Sequence, residues 1–232
     1  FASLHGILRD KAELKANGGI QEHLSFEFAS VNGQIRFYVW VPRTLRSFVE
    51  SQIYSQYPSV QITKADEDYV THEREHSVIY TTEVSLTENE VLPIKTFQSF
   101  EVDPLAGITG TLAKLETTGE EIWVQMLVRP VADDWHKTAE RWISNLRAGK
   151  GSISVKSMGW LPQLFEALWR PPEAGEKSTV AKELSDRDKT RIAEAEKKAT
   201  KLGYQVKVRL AYLGESNANA RLRMQALVGT FK

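Results

Sequence analysis

The pair Asn32-Gly33, set between two β-rich runs at Leu24–Val31 and 34–41, constrains this chain more than any other two residues. Both positions of a two-residue hairpin turn take positive φ, which asparagine and glycine tolerate best, and the turn's twist matches that of the flanking strands. The chain must therefore contain antiparallel sheet. Pro42 closes the second run because it has no N–H for a ladder. Leu45, Phe48, Val49, Gln52, Ile53 and Tyr57 then outline an amphipathic helix that Pro58 stops, and 60–63 reads as a further strand. Upstream, Phe1, Leu4 and Leu8 share one helical face, with a stop at Gly18-Gly19. Residues 66–76 are charged and loop-like, and 78–86 is β-rich. Helix, strand, strand, helix, strand is the order of a ferredoxin-like βαββαβ unit without its first strand, and we expect that unit over 1–87.

A polar turn at 87–90 separates it from the second half. Asp103 suits a helix N-cap and Pro104 its first turn, while Leu105, Ile108, Leu112 and Leu115 recur at helical spacing up to Gly119. From 121 to 129 the chain alternates Ile122, Val124, Met126 and Val128 against Trp123, Gln125, Leu127 and Arg129, as a strand does. A helix follows with Trp135, Ala139, Trp142, Ile143 and Leu146 on one face, up to the break at Gly149-Lys150-Gly151. Residues 150–180 lose all periodicity and read as an insertion. Helix 185–202 carries Ile192, Ala195, Ala199 and Leu202, with Glu183–Arg187 and Glu194–Lys198 spaced by four. Strand 205–213 and a last helix capped by Ser216 close the chain. The expected fold class is α+β: two ferredoxin-like units, 1–87 lacking its initial strand and 88–232 interrupted by the insertion at 150–180. The chain opens without methionine and begins and ends in helical phase, so we expect both ends to be cuts through a longer protein.

Thirty basic residues balance thirty acidic ones among 232, so no net field draws the chain to nucleic acid or anionic lipid. With no cysteine there are no disulfides, thiolate metal sites or cysteine nucleophiles. No apolar run approaches the roughly 20 residues that span a bilayer, and no signal peptide is visible.

His72-Glu73-Arg74-Glu75-His76 matches H-E-x-x-H, in which two histidines one helical turn apart bind zinc beside a glutamate base. That chemistry needs a helix, whereas the β-branched 78–82 just beyond reads as strand. A zinc-dependent hydrolase using His72, Glu73 and His76 is therefore the alternative to a loop that matches by accident, which is our expectation. A phosphate loop needs G-x-x-x-x-G-K-[ST]. Gly149-Lys150-Gly151-Ser152 has the wrong residue after lysine, and Gly175-Glu176-Lys177-Ser178 has glutamate in the place of the second glycine. We expect no catalytic, metal or cofactor residues and no ATP hydrolysis by this stretch. Tyr38 and Trp40 share a strand face with Arg36, the makings of a single-stranded nucleic-acid platform, although aromatics on such sheets more often pack. The amphipathic stretch with Trp160, Leu164, Phe165, Leu168 and Trp169 is the candidate partner-binding surface.

The run Gln52-Ile53-Tyr54-Ser55-Gln56-Tyr57-Pro58, the block 93–106, the strand 122–130 with Val131-Ala132-Asp133-Asp134-Trp135 after it, and the closing 204–231 together resemble the amino-terminal region of FtsK/HerA-like conjugation ATPases of the type IV secretion kind. The resemblance covers most of the chain. It implies a non-catalytic accessory domain for docking or oligomerisation, ahead of a motor domain in the same longer chain. It further implies a homo-oligomeric full-length protein in the cytoplasm, at the inner face of a membrane beside other secretion components.

Overall fold

The computed structural model describes residues 2–71, 78–96, 99–101, 103–113, 115, 119–148 and 184–231. In chain order the elements are a 3-10 helix (Ala2–Ile7), α1 (Lys11–Ala16), β1 (Leu24–Val31), β2 (Gln34–Trp40), α2 (Arg46–Gln56), β3 (Val78–Val84), α3 (Pro104–Ala113), β4 (Glu121–Pro130), α4 (Asp134–Arg147), α5 (Asp186–Ala199), β5 (Tyr204–Gly214) and α6 (Asn217–Gly229). They form two compact units: Phe1–Ser85, Lys95–Ala132 and Leu202–Lys232 make one, and Leu86–Ile94 with Asp133–Lys201 the other.

The first unit holds a five-stranded sheet in the order β2-β1-β4-β5-β3, antiparallel at every pairing. Asn32 (φ 51°) and Gly33 (φ 72°) make the expected hairpin turn, with Val31 opposite Gln34. Directly opposed residues share a face, so Phe28, Val124 and Leu210 point the same way, as do Ser30, Ile122 and Tyr212. That face carries the helices. Ile122, Val124, Leu210 and Tyr212 pack with Ile108 and Leu112 of α3 and with Ala220, Met224 and Leu227 of α6. At the other end of the same face Leu24 and Val128 meet Leu4, Ile7 and Val49, drawing in the 3-10 helix and α2. Each fully buried Leu or Ile here contributes about 1.5–3 kcal/mol. No helix among the described residues is long and apolar enough to cross a membrane.

The architecture is α+β, but its division differs from the expected break at 87/88. Strands from both sides of that point share one sheet, and β1, expected inside the unit 1–87, lies between β2 and β4. Alternation tells a strand which side is buried and says nothing about which strand lies beside it. The expected strand at 60–63 is absent: those residues have no regular structure, and Val60 is 38% exposed. The first helix is also two elements. Ala2–Ile7 is 3-10, and Asp10 then starts α1 with a capping box, its side chain accepting from the Glu13 N–H at 2.8 Å while Glu13 accepts from the Asp10 N–H at 2.8 Å. Asp10→Ala should lower stability by about 1 kcal/mol, read as a lower urea midpoint at unchanged slope.

In the second unit Ala139, Ile143 and Leu146 of α4 pack against Ile192 and Ala195 of α5. Ser185 caps α5 by accepting from the Asp188 N–H at 3.2 Å. Val91, 3% exposed, joins this core from a segment that looks like a plain polar turn in the sequence. Lys198, expected to pair with Glu194, instead donates its Nζ to the carbonyls of Glu90 and Leu92, the latter at 3.0 Å, and so ties that segment to α5. Arg191 adds an ion pair to Glu88 at 2.7 Å.

Candidate functional site

Among the described residues no group of three or more His, Asp or Glu side chains is arranged to hold a metal ion. His72, Glu73 and His76 lie outside the described residues, and so do Trp160, Leu164, Phe165, Leu168 and Trp169. The surfaces that remain to be judged are the open face of the sheet, two buried acid networks and the sheet's two edges.

On the face away from the helices, Tyr69 of the loop after α2 lies over Ala29, Trp123 and Leu213, and stacks on Tyr38 with centroids 4.8 Å apart. Its hydroxyl donates to Glu27 and accepts from Gln125 Nε2 at 2.9 Å. Glu27 and Tyr69 are 9% and 7% exposed. Burial, together with the hydrogen bond to Glu27, pushes the Tyr69 hydroxyl well above its ordinary value. A second network sits on the helix-bearing face. There Tyr212, fully buried, donates to Glu120 Oε1 at 2.7 Å, the same oxygen accepts from Asn219 Nδ2 at 3.0 Å, and Arg223 reaches Oε2 at 3.6 Å. Burial and Glu120 raise the Tyr212 hydroxyl in the same way. A general acid or base working near neutral pH needs a value near neutral. In both networks the phenol donates to a buried carboxylate, and these bonds pin a loop and a helix to the sheet.

Tyr38 and Trp40 do share the open face with Arg36, as the alternation requires. Tyr38 is already stacked beneath Tyr69, so it belongs to the packing. Trp40 is 47% exposed and stacks on His23 at 4.8 Å and 18°. Three strands away on β5, Lys207 and Arg209 both reach Glu83, at 3.2 and 3.3 Å, and hold its carboxyl below the usual range. Tyr69 and Glu27 were not identifiable as a site from sequence, because a lone tyrosine in a charged loop carries no periodicity.

Among the described residues no further strand pairs with β2 or β3, the two outer strands of the sheet. β2 presents Phe37, Val39 and Trp40, and β3 presents Ile79 and Tyr80, all among the exposed large apolar residues. An edge strand offers a row of unpaired N–H and C=O groups to any second strand. What this geometry defines, among the described residues, is an α+β module built on a five-stranded antiparallel sheet. The chain belongs to the family described as a domain of unknown function, DUF8128, which matches residues 2–232. No curated protein and no solved structure matches it.

Proposed function

We propose that this chain is a non-catalytic assembly module, of the kind that precedes the motor domain in FtsK/HerA-like conjugation ATPases, and that it docks or oligomerises the protein that carries it. The observation that supports this reading is that, among the described residues, both outer strands of the sheet are unpaired on one side and β2 exposes Phe37, Val39 and Trp40. Its partners would be the motor domain of the same chain, further copies, and secretion components at the cytoplasmic face of a membrane.

The topology also supports a ferredoxin-like unit, with different bounds from those the sequence suggests. β3 and β4 run parallel to each other, joined through α3, with β5 between them antiparallel to both, and α6 follows β5. That is a split β-α-β. The Asp133–Lys201 segment is inserted between β4 and β5 in the chain. On this reading the unit begins at β3, and the β1–β2 hairpin extends the sheet beyond β4.

Calorimetric titration of the isolated chain with Mg-ATP tests the non-catalytic part. No binding heat and no phosphate release are expected; micromolar binding or turnover would reject the reading. A second reading, contact with single-stranded nucleic acid, draws support from the half-exposed Trp40–His23 stack, on the same strand face as Arg36. It requires tryptophan emission to respond to an oligothymidylate and the Trp40→Ala variant to lose that response.

A further inference from the structure

The two edges of the sheet are not equivalent. β3 carries Glu83, which gathers Lys207 and Arg209 around it, and a charged cluster on an edge strand discourages strand addition. Among the described residues β2 has no such cluster, its one charged side chain, Arg36, being bonded to Gln34. Its turn is closed by Val31 opposite Gln34. In a two-residue hairpin that pair exchanges both backbone hydrogen bonds, and the pattern repeats at every second residue. The N–H and C=O of Arg36 and Tyr38 are therefore taken up by β1, whereas those of Ile35, Phe37 and Val39 point out of the sheet. Phe37, at the centre of this outward row, is 69% exposed although its ring touches Phe28 at 4.8 Å.

We propose that β2 is a homotypic interface, on which a second copy of this chain lays its own β2 antiparallel about a two-fold axis between the two Phe37 residues. This rests on the reading of the chain as an assembly module and names the surface and the partner. A two-fold contact requires that whenever residue i meets j, j meets i. The register centred on Phe37 meets that condition with complementary chemistry at each position. Phe37 faces its own equivalent and Ile35 faces Val39, so every outward N–H meets an outward C=O. Opposed residues share a face, so these side chains extend the helix-bearing face as an apolar strip. On the other face Arg36 comes to lie opposite Tyr38 of the second copy, at the edge of that copy's Tyr38–Tyr69 stack. The two five-stranded sheets become one continuous sheet, with the helices of both copies on the same side.

The chain has no cysteine, so F37C supplies a single thiol. Opposed Cα atoms in a hydrogen-bonded antiparallel pair lie about 5.5 Å apart, inside the range of about 4.4–6.8 Å that a disulfide spans. Under mild oxidation F37C should form covalent dimers about tenfold faster or more than Y57C, whose exposed thiol lies off the strand. Sedimentation velocity should show the unmodified chain passing from monomer to dimer as concentration rises. V39P, which removes an outward N–H at an edge where proline is tolerated, and F37K should both abolish that shift while the far-ultraviolet circular dichroism is unchanged. Equal cross-linking rates for F37C and Y57C, or a chain that stays monomeric throughout, would overturn the proposal. Dimers that survive both V39P and F37K would also overturn it, yet leave the assembly reading standing on another surface.

Discussion

Leu210→Ala should destabilise the first unit by about 2–5 kcal/mol and should speed amide exchange as far away as the β1–β2 hairpin. Leu210 is fully buried at the middle of β5, between Val124 of β4 and Thr82 of β3, and it packs in the cluster that holds Leu112 and Leu227. Truncation leaves a cavity that the paired backbones on both sides cannot close. The exchange pattern matters more than the magnitude. β5 supports β4, and β4 pairs with β1 from Ser30 opposite Ile122 to Leu24 opposite Val128. A single cooperative sheet must transmit the loss to Phe26 and Phe28, whereas two sheets divided near residue 87 would leave the hairpin protected. Leu222→Ala on α6, 64% exposed, is the control and should move stability by no more than about 0.5 kcal/mol.

Alkaline pH should unfold the first unit through Tyr69 and Tyr212. Both hydroxyls are raised in the folded state by burial first and by a carboxylate hydrogen bond second. In the unfolded chain they ionise near the ordinary value of about 10. A raised folded value means that the stabilisation is complete below about pH 10 and is lost as pH rises toward the folded value. Each phenol contributes about 1.4 kcal/mol of loss per pH unit in that window, so the pair should account for about 4 kcal/mol by about pH 11.5. Tyr204, raised by burial, adds in the same direction. Lys198 acts oppositely, because burial lowers its value and deprotonation just below its ordinary range favours the folded state of the second unit. Denaturant melts between pH 9 and 12 are the measurement. The Tyr69→Phe and Tyr212→Phe double variant should show a shallower decline than the parent; an unchanged decline would mean that the two phenols ionise freely in the fold.

The parts of the fold that could be read from sequence are those fixed by neighbours along the chain. Asn32-Gly33 placed the hairpin turn, alternation placed β4 and β5, and the spacing of Ala139, Ile143 and Leu146 placed α4. Ser216 was readable as the cap of α6, and it does accept from the Asn219 N–H at 3.4 Å. The parts that could not be read are set by pairing across the chain. Nothing local to 121–130 shows that it lies between β1 and β5, because its central position depends on one strand about a hundred residues before it and another about eighty after it. Val91 looks like a turn residue until α4 and α5 enclose it. Tyr69 looks like part of a charged loop until Glu27 and Gln125 are brought to it from two strands. The exposure of Phe37 is likewise set by its place on an outer strand, which nothing local to 34–40 shows.

We propose that residues 2–232 serve assembly. Native mass spectrometry of the full gene product, with and without residues 2–232, tests this most directly. The intact protein should form a discrete oligomer, and the shortened one should fall to smaller species while still hydrolysing ATP. An unchanged oligomer after the deletion, or ATP hydrolysis by residues 2–232 alone, would contradict the account.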